Sequence, residues 1–459
     1  MEIILKVNIK DGQNLWDALN DIGINIERPC GGHGKCNGCK VLADGKMVNS
    51  CEFSIPGMHE IEIPQKMHFD GIIGDFFSVN EFVANPVVIV DIGTTTVALK
   101  LLYKDKNYET SFVNPQRKYG ADVMSRIENA GKSSGYDMTI LIRDALSAAV
   151  NELSDEAKRN DKNFEIPNRF EMYVAANTTM LHLFRNLDVS GLGQYPFKPV
   201  TLKCEWENMI FTIKNKKIIS KVTFLPGIST YVGADIVSGI YGVNMANQEK
   251  ISLMIDLGTN AEMALGNKNR ILVASAAAGP AFEGSRLSEQ IYASGIMKLL
   301  NNMLKKGIID EYGTLDDEYF SVGYPVDDSL ELTDKSGDLR ITQDEIRQIQ
   351  MAKAAIASGI NILLKEYDIS AQDVDVVYLS GGMGHYLNPD DAKGISLLPN
   401  ELSGNIISVG NSSLGGLMKL ISQKETALEE IDRISDISEE ILLAQYPGFQ
   451  EIYIENMNF

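Results

Sequence analysis

A chain of 459 residues, 44% apolar and 23% charged, has the composition of an ordinary globular protein and enough length for a small domain beside a large one. Its formal net charge of −20 repels phosphate backbones and excludes nucleic acid as a partner. No run approaches a membrane span, and the alternating, early-acid start "MEIILKVNIKDG" does not read as a signal peptide, so a cytoplasmic location is expected.

Residues 3–9, "IILKVNI", alternate as a strand, and the "DGQ" that follows reads as a turn. "NLWDALNDIGINI" then sets Leu15, Ala18 and Leu19 on one helical face, with Gly23 as the expected C-cap. Next comes the loop "PCGGHGKCNGCKV" at 29–41. Asp44-Gly45 predicts a tight hairpin, Cys51 follows its second strand, and "HEIEIP" at 59–64 alternates again.

Four of the five cysteines, Cys30, Cys36, Cys39 and Cys51, form the pattern C-x5-C-x2-C-x11-C. In a cytosolic chain of this size such clustering points to metal or redox chemistry rather than disulfides. Four thiolates suit zinc or a 2Fe–2S cluster. Structural zinc usually takes two separated C-x2-C knuckles, and only one is present, which favours iron–sulfur. Gly31, Gly32, Gly34 and Gly38 let backbone N–H groups turn toward negatively charged sulfurs. His33 is an alternative ligand, but with four thiols at hand it reads as a loop residue beside the metal. Cys204 stands alone and reads as a bystander thiol.

The stretch from Lys10 to Val41 resembles the plant- and adrenodoxin-type ferredoxins. That resemblance implies a β-grasp fold for residues 1–65, with Cys30, Cys36, Cys39 and Cys51 holding a 2Fe–2S cluster. The return to Cys51 is shorter than in most of those proteins. Residues 66–86 lack a clean period and read as a linker to a large domain at 87–459.

In "PVVIVDIGTTTVALKLLY", Val87–Val90 reads as an apolar strand, Asp91–Thr96 as a turn and Val97–Tyr103 as a second strand. "ISLMIDLGTNAEMALGN" repeats that design around Asp256, Gly258, Thr259 and Asn260. Gly93 and Gly258 permit close approach to phosphate oxygens; Thr94, Thr95, Thr96, Thr259 and Asn260 supply donors; Asp91 and Asp256 suit Mg²⁺. One such turn is ordinary loop chemistry, whereas two, half a domain apart, imply duplicated halves closing on one nucleotide. "LPGISTYVGADIVSG" sets Asp235 shortly before the second turn, either as a catalytic acid or as an N-cap. "AAAGPAFEG" offers Gly279, Glu283 and Gly284 for a base or ribose.

"RITQDEIRQIQMAKAAIASGINILLKEY" predicts a long helix capped by Thr342 and Glu345 and buried through Ile346, Ile349, Ile356, Ile360 and Leu363. "VDVVYLSGGMG" then runs a buried strand into Gly381, Gly382 and Met383, where an adenosine can lie against the backbone. The acidic stretch Glu425–Glu440 reads as a solvated helix face.

These motifs resemble the phosphate-1, phosphate-2 and adenosine motifs of the actin, sugar-kinase and heat-shock-chaperone superfamily. The fold expected is therefore α/β: a small β-grasp ferredoxin-like domain plus a two-lobed, RNase-H-like (actin-like) ATPase domain. The combination resembles the reductive activators of corrinoid proteins, through "NPQRKYGADVMSRI", "ANTTMLHLF", "YPFKPV", "AAAGPAFEG", "ITQDEIRQIQMAKAAI" and "GGMGHYLNP". Larger members carry a further domain between the two parts, for which this chain has only the connector.

The resemblance implies ATP-dependent return of Co(II) to Co(I) on a corrinoid protein of a methyltransferase system. The cofactors implied are a 2Fe–2S cluster, ATP and Mg²⁺. An upstream low-potential electron donor and a homodimer are implied as well, with no nucleic acid and no membrane. Alternatives are an ATP-binding redox sensor, an ATP-driven electron activator of another low-potential metalloenzyme, and a small-molecule kinase with a ferredoxin appendage. The segments 114–127 and 176–200 read either as partner surface or as core connections.

Overall fold

The computed structural model describes residues 3–21, 40–63, 83–279, 281–282, 291, 293–326, 339–381 and 387–459. Gly23, the loop cysteines Cys30, Cys36 and Cys39, His33, Glu283, Gly284, Gly382 and Met383 lie outside the described residues.

The small domain comprises β1 (Ile3–Ile9), α1 (Leu15–Asp21), β2 (Lys40–Ala43), β3 (Lys46–Asn49) and β4 (Gly57–Ile63), with sheet order β1-β4-β2-β3 and antiparallel pairing. The β2–β3 turn is Asp44-Gly45, with φ of 51° and 75°, the left-handed pair that a two-residue hairpin needs. Leu15, Ala18 and Leu19 bury together against Val7, Ile9, Val41 and Ile61. Cys51 is buried in the same core.

The first lobe of the large domain holds β5 (Val83–Ile92), β6 (Thr96–Lys104), β7 (Lys106–Val113), α2 (Val123–Asn129), α3 (Gly135–Asn160), β8 (Arg169–Ala176), α4 (Thr178–Arg185), β9 (Glu205–Ile213) and β10 (Lys216–Phe224). Its sheet runs β7-β6-β5-β8-β10-β9, with β5–β8 and β8–β10 parallel. β5 starts inside the expected linker, because Val83 already pairs with Lys104. The register slips between Val83 and Val87, where Pro86 has no N–H to give the ladder. Asp91 lies inside β5, not in the turn.

After α5 (Ala234–Gly242), the second lobe repeats the plan with β11 (Ser252–Leu257), β12 (Ala261–Gly266) and β13 (Ile271–Ala276). There follow α6 (Ala293–Lys305), α7 (Asp317–Phe320), the pair β14 (Tyr324–Pro325) and β15 (Arg340–Ile341), α8 (Gln343–Tyr367), β16 (Val376–Ser380), α9 (Pro389–Gly394), β17 (Asn405–Gly410), α10 (Ser412–Ser422), α11 (Lys424–Ile437), β18 (Ser438–Glu440) and α12 (Phe449–Glu455). The sheet order is β17-β16-β11-β12-β13-β18. In both lobes an antiparallel three-strand meander is followed by a strand parallel to the first. That is the duplication the two turn motifs predict.

α8 starts at the expected capping box, and its isoleucine stripe and Leu363 are buried. α11 buries Ala427, Ile431 and Ile434, while Glu429, Asp432 and Asp436 are exposed. α5 and α10 cross between the sheets at backbone distance. A Cβ on Gly416 would overlap the Ser238 carbonyl oxygen, and one on Gly239 would stand 2.6 Å from Ser412 Oγ.

Candidate functional site: an acid-lined cleft between two hairpins

Each lobe offers its first hairpin to the space between them. In the first, Gly93 N–H donates to the Thr96 carbonyl at 2.9 Å, and a Cβ at Gly93 would meet that oxygen at 2.7 Å. In the second, Gly258 N–H donates to the Asn260 carbonyl at 2.9 Å. The turns touch, with Thr95 Oγ1 and Thr259 Oγ1 hydrogen-bonded at 2.7 Å.

Beneath them is a cavity of about 170 Å³ lined by Asp91, Gly93, Thr94, Thr95, Thr96, Asp235, Asp256, Gly258, Thr259, Asn260 and Gly381. The residues of both turns, the three aspartates and Gly381 thus converge on one place. The fold adds Glu262, Asn177, Asn411 and Ser413 to that wall. Glu262 was readable in principle, since it is the direct cross-strand partner of Asp256 and so shares its face. The equivalent position opposite Asp91 is Ala98, so only the second lobe doubles its carboxylate. Asn411 is a recognisable N-cap, but its reach to the other lobe is not a property of the sequence.

The N-terminus of α10 ties both first-strand acids. Asp91 accepts from Asn411 Nδ2 at 2.8 Å and Ser413 Oγ at 2.9 Å. Asp256 accepts from Ser380 Oγ at 2.6 Å, and Ser380 Oγ is hydrogen-bonded to Ser412 Oγ at 2.6 Å. Asp235 sits in the first turn of α5, behind N-cap Gly233, and accepts from the Ile236 N–H at 2.9 Å. It is therefore inside the helix rather than capping it. Ser275 Oγ is 3.4 Å from Glu262 Oε1.

Burial governs the charge state of this group. It pushes Asp91 up to about 6, with the Asp256 charge adding to the rise. Asp235 is pushed up to about 8, by burial first and then by Asp91 and Asp256. Asp256 is raised by burial. Glu262 is raised well above the carboxylate range, by burial and then by Asp235 and Asp256.

Arg126 braces the first hairpin from behind. Fully buried, it donates to the carbonyls of Thr94 and Gly120, and burial lowers its guanidinium to about 9. The segments 114–127 and 176–200 divide: Asn114, Gln116, Arg126 and Asn177–Phe184 are buried connections, whereas Met124, Tyr195 and Val200 are exposed.

Gly279 does not join this cavity. It lines a second one of about 860 Å³, on the β13 side of the β11–β12 hairpin. Gly381 ends β16, on the opposite side of that hairpin, with φ of 85°; a Cβ there would meet the Leu257 carbonyl at 2.4 Å. The missing Cβ of Gly381 thus lets the end of β11 come close to it. Among the described residues no group of three or more His, Cys, Asp or Glu is arranged to hold a metal ion by itself.

Residues 87–248 match the RACo middle region, and residues 250–294 and 286–459 match the C-terminal domain of RACo, the ASKHA domain. From residue 87 onward the chain belongs to the RACo family. Over 429 residues it is 29% identical to the corrinoid activation enzyme RamQ of Eubacterium limosum, covering 81% of this chain and 70% of that one. Over 335 residues it is 26% identical to the Co(II) methylated amine-specific corrinoid protein reductase of Methanosarcina barkeri, covering 62% of each. The solved structure of a reductive activator for corrinoid, iron–sulfur protein superposes with a TM-score of 0.67 at 24% identity, covering 98% of this chain and 96% of that one. The fold of that activator is thus shared, and of the two turns that meet at Thr95 and Thr259 the first lies in the stretch matched to the RACo middle region and the second in the stretch matched to the ASKHA domain.

Proposed function

We propose that this chain is an ATP-dependent reductive activator of a corrinoid protein, returning Co(II) to Co(I) with one electron. What carries the reading is the convergence of Asp91, Asp235, Asp256 and Glu262 under two phosphate-type hairpins, in a chain of the RACo family. Four acids forced together out of water must be neutralised, by protons in the free protein or by a cation that shares the space. Mg²⁺–triphosphate provides that cation and uses the hydroxyls and N–H groups of the two turns.

In this scheme Thr94, Thr95, Thr96, Thr259 and Asn260 bind phosphate oxygens, and Asp91 and Asp256 orient the water shell of Mg²⁺. Asp235, raised to about 8, takes the proton of the water that attacks the terminal phosphate. Gly381, with Gly382 and Met383, holds the adenosine. Phosphates between the hairpins displace the Thr95–Thr259 bond, so binding and hydrolysis change the separation of the lobes.

The small domain belongs to the same proposal as a β-grasp ferredoxin-like carrier, with Cys30, Cys36, Cys39 and Cys51 as ligands. The donor set fits: three thiols on a glycine-rich loop, and a fourth held by a turn in which Glu52 and Phe53 N–H donate to the Asn49 carbonyl. A 2Fe–2S cluster there supplies a single electron at a potential of roughly −400 mV. Reaching Co(I) is uphill from that potential, and each 59 mV is about a tenfold bias, which ATP binding and hydrolysis offset. An upstream low-potential donor and a homodimer complete the proposal. No helix among the described residues is long and apolar enough to cross a membrane, and a cytoplasmic site of action is proposed.

The test is anaerobic reconstitution followed by ATPase assay with and without a Co(II) corrinoid protein. A visible cluster spectrum and partner-stimulated ATP turnover are expected. One bound zinc with no chromophore would remove the electron-transfer half of the scheme.

A further inference from the structure

The stretch "NPQRKYGADVMSR" at 114–126 folds back onto the first hairpin. Asn114 caps the 3-10 turn Pro115–Tyr119 by accepting from the Gln116 N–H. Gly120, at φ 151°, turns the chain, and a Cβ there would stand 2.4 Å from that of Ser125. Asp122 then caps α2 by accepting from the Ser125 N–H, and α2 carries Arg126 back to the hairpin.

Three consecutive carbonyls of the hairpin are taken by this stretch. Asn114 Nδ2 donates to the Gly93 carbonyl at 2.8 Å, Arg126 Nη2 to that of Thr94 at 2.5 Å, and the Asn114 N–H to that of Thr95 at 2.8 Å. In a trans peptide the N–H points opposite to its C=O. Holding the Gly93 and Thr94 carbonyls therefore turns the N–H groups of Thr94 and Thr95 away from 114–126, and both threonines line the acid cleft. Neither N–H has an acceptor among the described residues. Adjacent backbone N–H groups left free on one side of a turn make an anion-binding concavity.

Arg126 points to the same ligand chemistry. It is fully buried, and its other bonds go to the Gly120 carbonyl at 2.9 Å and to Met180 Sδ at 2.9 Å. Among the described residues none of its partners is a carboxylate. A buried cation without a bonded anion favours an anion close by, and this one stands a single peptide unit behind the turn.

We propose that Asn114 and Arg126 are positioning residues of the nucleotide site, which hold the first hairpin so that the Thr94 and Thr95 N–H groups are aimed at phosphate oxygens. The inference rests on the nucleotide reading of the cleft and gives the buried part of 114–127 a role in it. A brace that served the fold alone would affect every ligand alike, whereas this one acts on the phosphates and leaves adenosine untouched.

The test uses the full-length protein with Arg126→Gln and, separately, Asn114→Ser, which keeps an N-cap oxygen but is too short to reach Gly93. Affinity for Mg²⁺–ATP is measured by calorimetry and for adenosine by ligand-observed NMR, beside thermal melts. Each variant is expected to weaken Mg²⁺–ATP at least about tenfold, as loss of a hydrogen bond to a charged group does, with adenosine within twofold of wild type. Mg²⁺–ATP affinity within twofold of wild type in either folded variant, or equal losses of ATP and adenosine, would overturn the proposal. In the wild type, deuterium exchange across residues 93–97 is expected to slow with Mg²⁺–ATP and not with adenosine; exchange unchanged by Mg²⁺–ATP would overturn the proposal whether or not the variants fold. ATP-driven reduction by the wild type would leave the activator reading standing in each of those cases, and a wild type that binds no Mg²⁺–ATP would sink both.

Discussion

Asp235 has the most consequential environment in the cleft. It is the acid lifted to about 8, which is where a base working near neutral pH is most effective. Asp235→Asn is expected to lower ATP-driven reduction by at least about 10²-fold while leaving the cluster absorption unchanged; a stopped-flow rate near wild type would remove Asp235 from the chemistry. The same substitution should stabilise the ligand-free protein. Asp91 and Asp235 have folded values near 6 and 8 against 3.8 when unfolded. The folded state therefore holds protons that the unfolded chain releases. Stability contributed by the protonated acids is present below about 4 and is lost as pH rises through 6 and then 8. Thermal melts should fall across that window, and Asp235→Asn should flatten the fall between pH 6 and pH 8. Protons and Mg²⁺ compete for these groups, so the Mg²⁺–ATP thermal shift should grow from pH 6 to pH 8. Asp91→Ala or Asp256→Ala should leave the cluster spectrum intact and abolish ATP-driven reduction.

At the scale of elements, the hairpins and the crossing helices α5 and α10 form one mechanical unit. α10 carries Asn411, Ser412 and Ser413, which reach acids in both lobes directly or through Ser380. Its contact with α5 needs glycine. Gly416→Ala is expected to destabilise by about 1–3 kcal/mol, measured by urea unfolding; an unchanged midpoint would mean that the crossing relaxes at no cost. This unit also marks where sequence reading stops. The D-x-G-T turns, the α8 capping box and the Asp44-Gly45 hairpin are local chemistry and were legible because each depends on residues a few positions apart. The bonds from Asn411 to Asp91 span 320 positions, and no local periodicity encodes them. Glu262 was missed because a lone acid two residues after a turn looks like a solvated strand position; only the strand pairing shows it facing Asp256. Gly279, which reads as a residue for a base or ribose, lines the larger cavity on the β13 side, whereas Gly381 lines the acid cleft, a separation that only the strand order shows.

Across the whole molecule, the proposal joins a small cysteine-bearing domain to a cleft that a triphosphate would close. In the proposed scheme a cluster alone would lack the driving force to make Co(I), and the cleft alone would move no electron. The net charge of −20 gives long-range repulsion from an acidic partner and attraction to a basic one, so docking to a corrinoid protein should depend on salt in proportion to that partner's charge. The dependence of the electron step on nucleotide is what joins the two ends of the chain. The deciding measurement is anaerobic spectroscopy of a Co(II) corrinoid protein mixed with the reduced holoprotein, following the Co(I) absorption band with ATP, with ADP and with no nucleotide. Rapid growth of the band with ATP and little without it is the predicted result; equal rates under all three conditions would contradict the coupling.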